Sequence, residues 1–163
     1  MNALANAEVG KYLNGSFVST YQKVGTFTLA GRQKQGGNVA TYICTPDGRV
    51  LHAVAGPVNA ATLLREARWA VESYKLARLD NPDDSSSAFQ SLLWKAHADR
   101  LRQEFRLDLN NPEDRADRNL GKQGQVHLLL AAAPTPRLEQ VYMFVFENIL
   151  GEKVSTAPVV VKR

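Results

Sequence analysis

The chain has 163 residues, a hydrophobic fraction of 44% and a formal net charge of +4, which fits one globular domain, or one domain with an added lobe. No apolar run approaches the roughly 18–20 residues of a membrane-spanning helix, so a membrane protein of that kind is not expected. The basic excess lies in residues 1–79, with nine Lys or Arg against Glu8, Asp47, Glu66 and Glu72, but it is dispersed rather than gathered into the basic stripe of a nucleic-acid binder.

Residues 3–13 read as a short helix, because Leu4, Val9, Tyr12 and Leu13 share a face. Asn14-Gly15 is expected to stop it, with Gly15 in the left-handed cap position. Residues 16–24, SFVSTYQKV, alternate and read as a strand. Residues 30–37, AGRQKQGG, read as a polar, glycine-rich loop. Two strands follow, residues 39–45 and 50–55. Between them Pro46-Asp47-Gly48 makes a hairpin turn, since proline presets φ and glycine accepts a positive φ. Gly56-Pro57 ends the second strand. A helix over 58–77 carries Leu64, Ala67, Val71 and Tyr74 on its inner stripe. Alternation and periodicity give an expected first-lobe core of Val18, Thr20, Val39, Thr41, Ile43, Leu51, Ala53, Leu64, Ala67 and Val71.

Residues 80–87, DNPDDSSS, mark a boundary. Ser87 and Gln90 fit a capping box for a helix over 88–105. A charged loop spans 108–124. Helices over 125–133 and 137–150 follow, the second with Thr135 as N-cap, Pro136 at its first position and Gly151 as its stop. The tail ends in the β-branched run at 159–161. The helix over 137–150 is expected to cover exposed apolar surface or to join a second copy, and the tail run to lend a strand to the sheet edge.

The order helix, Phe-Val strand, PDG hairpin, closing helix resembles the later part of a thioredoxin-like domain. The resemblance covers residues 3–77. It implies an α/β fold in which residues 1–79 form an incomplete thioredoxin-like lobe and residues 80–163 a C-terminal α-helical extension. The first strand and the Cys-x-x-Cys motif of such domains are not in this sequence, and Gly37-Asn38 stands where the family places a cis-proline. The resemblance therefore implies fold and not redox residues. It leads to a non-catalytic thioredoxin-like protein acting through protein contacts. The alternative is a thiol–disulfide oxidoreductase whose motif lies upstream of Met1; nucleic-acid binding is the weakest reading.

Individual residues support no catalytic, cofactor or metal assignment. Cys44, the one cysteine, excludes an intrachain disulfide, fits a reducing compartment and lies inside an apolar strand, where a thiol is inert. The N-terminus lacks the basic and apolar regions of a signal peptide, so a cytoplasmic location is the default expectation. His52, His97 and His127 fall on a strand and two different helices without ligand spacing, and no metal is expected. Asp108, Asn110, Glu113, Asp114 and Asp117 do not match a calcium loop, which needs glycine at its sixth position and glutamate at its twelfth. The run 31–37 could offer amides and cations to an anion but matches no phosphate loop. The helix over 137–150 is apolar around most of its circumference. Val141, Tyr142, Phe144, Val145 and Ile149 are accordingly the candidate partner-binding residues, for a protein partner or a homodimer.

Overall fold

A computed structural model describes residues 3–24, 28–30, 33–35, 38–84, 86–111, 114, 120–155 and 160–162, with 28–30, 33–35 and 160–162 described by their backbone. These residues form a mixed α/β structure that is mostly helical. A 3-10 turn (Ala3–Ala5) leads into α1 (Ala7–Ser16). Short strands β1 (Thr28–Ala30) and β2 (Gln33–Gln35) follow, then the hairpin β3 (Ala40–Cys44) and β4 (Val50–Ala55). The helices α2 (Ala60–Arg78), α3 (Ser87–Phe105), α4 (Lys122–Ala132) and α5 (Leu138–Phe144) come next, α5 running on into a π-helical turn (Val145–Ile149). A last strand, β5 (Val160–Lys162), lies parallel to β1, while β2 pairs with β1 antiparallel.

The hairpin forms as its turn residues dictate. Gly48 has φ +83°, a conformation only glycine adopts without strain, and its N–H donates to Thr45 O at 3.0 Å. The antiparallel register runs from Ala40 opposite Ala55 to Ile43 opposite His52, then slips so that Cys44 faces Val50. Such a slip is a β-bulge and bends the strand. All six residues of β4 are buried. The strand is enclosed because α2 packs on it from one side and α4, α5 and the π-helical turn from the other.

Side-chain caps set the helix starts. The Asn6 side chain accepts from the N–H groups of Glu8 and Val9 and starts α1. Asn59 accepts from Thr62 N at 2.8 Å and starts α2. Ser86, rather than Ser87, caps α3 by accepting from Phe89 N. Leaving the N–H groups of a first turn unpaired is costly, and a neighbouring serine serves as well as the expected one.

Four expectations are corrected. Residues 17–24 form no strand: Phe17 N still bonds Leu13 O as the end of α1, and no described residue pairs with the segment as a ladder. A β-prone sequence without a partner stays irregular. Consequently Val18 and Tyr21 are almost wholly exposed and Thr20 lies outside the core; Val39, just before β3, is exposed as well. Gly15 is not among the residues with positive φ, and α1 continues through it to Ser16. Thr135, with φ 51°, does not cap α5. Arg137 takes that place, and its N–H donates to Gln140 Oε1 at 2.9 Å. Pro136 stays outside the helix because its carbonyl accepts from Val50 N at 2.8 Å, tying this corner to β4. The loop expected at 30–37 contains β2, while Gly31, Arg32, Gly36 and Gly37 lie outside the described residues, as does Val159.

Ile43, Leu51, Ala53, Leu64 and Ala67 are core residues as expected; Thr41 and Val71 are half-buried. The core also crosses residue 80. Phe89 and Leu93 of α3 pack with Ile43, Leu51, Ala67 and Ala70. Val126 and Leu130 of α4, with Val141, Val145, Phe146 and Ile149, pack with Val50, Ala53 and Ala55 of the hairpin. Truncation after Gly124 removes those six side chains, each worth about 1.5–3 kcal/mol of burial. The truncated chain is expected to lose its cooperative thermal transition in circular dichroism. A truncated chain that melts at the full-length temperature would show that α4 and α5 contribute nothing to this core.

Candidate functional site: a buried histidine cluster

Three histidines that the sequence scatters meet in the interior. His52 comes from the middle of β4. His97 continues the inner row of α3, Phe89–Leu93–His97–Leu101 at i, i+4 spacing, and all four are buried. His127 sits on α4 between the buried Val126 and Leu130. Gly124, one turn before it, lets α4 approach α3. A Cβ there would stand 2.9 Å from Phe105 Cδ1, nearer than side chains pack. Relative exposures are 0% for His52, 2% for His97 and 0% for His127. Their ring centroids lie 4.9 Å (His52–His127), 5.1 Å (His97–His127) and 5.9 Å (His52–His97) apart. Trp69 of α2 packs its ring against all three, at 4.8–5.2 Å.

A carboxylate anchors the cluster. Glu66 of α2 is completely buried. Arg100 of α3 grips it with both terminal nitrogens, Nη1 to Oε2 at 2.8 Å and Nη2 to Oε1 at 3.0 Å. Arg65 adds Nη2 to Oε1 at 2.9 Å from the surface, and His52 Nε2 lies 3.0 Å from Oε2. Burial pushes the Glu66 carboxyl up, but the hydrogen bonds from His52, Arg100 and Arg65 outweigh it and hold the group well below the usual carboxylate range. Arg100 also donates from Nε to Glu104 Oε1 at 2.7 Å, and its guanidinium lies over the Trp69 ring at 4.8 Å.

The tautomers follow from these partners. An ionised carboxylate accepts only, so His52 carries its proton on Nε2 and leaves Nδ1 bare. Gln123 Nε2, which donates to Ala53 O at 2.8 Å, also stands 3.2 Å from His52 Nε2. The charge-assisted bond to Glu66 is the stronger claim on that nitrogen. His97 Nε2 faces the carbonyl of Leu51 at 3.1 Å and must donate, leaving Nδ1 to accept from His127 Nδ1 at 2.9 Å. That leaves His52 Nδ1 and His127 Nε2 buried without a hydrogen-bond partner among the described residues. Burial lowers all three histidine pKa values, that of His97 to about 3, so the rings are neutral at pH 7.

The other sequence candidates are dispersed. Cys44 is half-buried, and burial, with the Glu139 charge second, pushes its thiol up to about 11. Val141, Val145 and Ile149 lie inside the core, Tyr142 is half-buried, and Phe144 is 44% exposed beside Met143 at 47%. In the acidic loop Asp114 Oδ2 accepts from Asp108 N and Asp108 Oδ1 from Asn110 N; Glu113 and Asp117 lie outside the described residues. Glu66, Arg100, Trp69 and Gln123 complete the site and belong to no sequence motif. The available signal was a glutamate and three histidines at core positions of otherwise apolar periodic segments.

The neutral histidines predict a pH dependence. A histidine titrates near 6.5 when unfolded and near 3 as His97 in the fold. The unfolded state therefore binds more protons in that window. The stabilising contribution of His97 is complete above about pH 6.5 and is lost as pH falls toward 3, at about 1.4 kcal/mol per pH unit; the lowered values of His52 and His127 act in the same direction. Urea unfolding at pH 7, 6 and 5 is expected to give a steadily falling unfolding free energy. A flat profile between pH 7 and 5 would contradict buried neutral histidines.

No protein-family model, curated protein or solved structure matches this chain.

Proposed function

We propose that the chain is a non-catalytic module of thioredoxin-like descent that works through protein contacts. The observation that carries this reading is closure. A dense group of titratable side chains, His52, His97, His127, Glu66 and Arg100, is buried, out of a substrate's reach, and tied together by internal hydrogen bonds. General acid–base chemistry needs a group within hydrogen-bond reach of the substrate, with a pKa near the working pH. The lowered pKa values of these histidines point away from that role. The hairpin followed by a long helix, β3–β4–α2, supports the thioredoxin-like descent.

The contact surface is the outer side of α5. With Val141, Val145 and Ile149 turned into the core, Phe144 and Met143 are the large apolar side chains that face solvent there. Neighbouring exposed aromatic and thioether side chains suit an interface core. Light scattering across a concentration series is expected to show self-association that Met143→Glu with Phe144→Glu removes without changing the melting temperature. A wild-type chain that remains monomeric throughout the series would overturn the homodimer form of this reading.

Thiol–disulfide reduction needs an attacking thiolate and a resolving thiol. Cys44 is the one thiol here and is held protonated. Insulin reduction by dithiothreitol is expected to run at the no-protein rate. An acceleration abolished by Cys44→Ser would defeat the non-catalytic reading.

A further inference from the structure

We infer that His52, His97 and His127 are the ligands of a structural transition-metal ion of the zinc class, held inside the core through their Nδ1 atoms. One ring nitrogen from each histidine lies within 4.8 Å of those of the other two. His97 Nδ1 and His127 Nδ1 are 2.9 Å apart. Two imidazole nitrogens bound tetrahedrally to one zinc at about 2.0–2.1 Å stand roughly 3.3–3.4 Å apart. The His97–His127 pair is therefore within about half an ångström of ligand spacing.

The partners of His52 and His97 match what a metal-binding imidazole requires. Such a ring donates its other nitrogen to a carboxylate or carbonyl, which fixes its tautomer and raises its basicity. His52 donates Nε2–H to Glu66 and His97 donates Nε2–H to Leu51 O. Both thereby leave Nδ1 unprotonated. The His52 Nδ1 lone pair has no hydrogen-bond donor among the described residues although the residue is fully buried. A lone pair taken out of water without a partner is costly, and a cation supplies one. Charge is compatible as well. Glu66 and Glu104 offset Arg100 and Arg65, so this ion-pair set adds no net positive charge beside the three rings. The Glu66 carboxylate reaches the ion through His52. His127 is the ring that must change: its Nδ1 proton moves to Nε2, freeing Nδ1 for the metal.

A site closed on every side fills as the chain folds, so the ion acts in folding and stability rather than in turnover. This differs from the protein-contact reading and stands or falls without it. The test uses the untagged full chain, unfolded in denaturant with a chelator, then refolded with Zn²⁺ or Co²⁺ and desalted. The expected result is one ion per chain by elemental analysis, the visible d–d absorption of imidazole-bound Co²⁺ and a raised melting temperature. His52→Phe and His127→Phe, which keep ring volume, are expected to retain no ion. Should these variants fail to fold, ¹⁵N spectra of the wild-type imidazoles decide. Zn²⁺ is expected to convert His127 from the Nδ1–H to the Nε2–H tautomer while His52 and His97 keep Nε2–H. A wild-type chain that retains no metal, phenylalanine variants that retain as much as wild type, or histidine spectra unchanged by Zn²⁺ would each overturn the inference.

Discussion

A carboxylate taken fully out of water must be neutralised where it sits, and this requirement at Glu66 fixes the relative positions of three elements. Arg100 meets both oxygens of Glu66, so α3 is held to α2 in one register. His52 meets one of the same oxygens, so β4 is held to both. Removing one partner of such a group leaves an uncompensated charge in a low-dielectric interior, at a cost of about 3–5 kcal/mol. Exchanging the whole set for apolar side chains could be neutral. The set therefore contributes more to choosing a single arrangement than to net stability, since a shifted helix would leave the carboxylate unpaired.

The histidines extend that register to α4. His97 bonds the backbone of Leu51 and the ring of His127, linking α3 to β4 and to α4 in one step. The close approach this needs is provided by Gly124 against Phe105, and Gln123 closes the end of the cluster by donating to Ala53 O. Apolar packing supplies the bulk of the driving force on both sides of β4. It is not directional, whereas the bonds among Glu66, Arg100 and the histidines are. Trp69, in contact with all three histidines and with Arg100, fills the space between the polar groups and excludes water from them.

What could be read from the sequence was local. The hairpin was legible because Pro46-Asp47-Gly48 encodes its turn and β-branched residues flank it. The long helices were legible because their apolar periods run through several turns. Residues 17–24 misled because alternation signals a strand only where another strand or a core face receives it, and neither is near in sequence. Thr135 and Pro136 misled because the pull of Val50 N on the Pro136 carbonyl is a tertiary contact that no local pattern carries. The cluster was hidden for the same reason. His52, His97 and His127 are joined only by the packing of β4, α3 and α4, and Glu66 is a surface residue type placed on the inner side of α2. The lesson is specific: a charged or imidazole side chain on an apolar stripe is a question about its partner, and here four such residues answer one another.

A double-mutant cycle on Glu66 and Arg100, measured by urea unfolding at pH 7, tests the central claim most directly. If the buried pair fixes the register of α2 and α3, Glu66→Ala and Arg100→Ala each cost several kcal/mol, and the double variant costs less than their sum by about 1–3 kcal/mol. Additive effects, with a coupling under about 0.5 kcal/mol, would mean that the two residues act independently and that the fold does not depend on this pair.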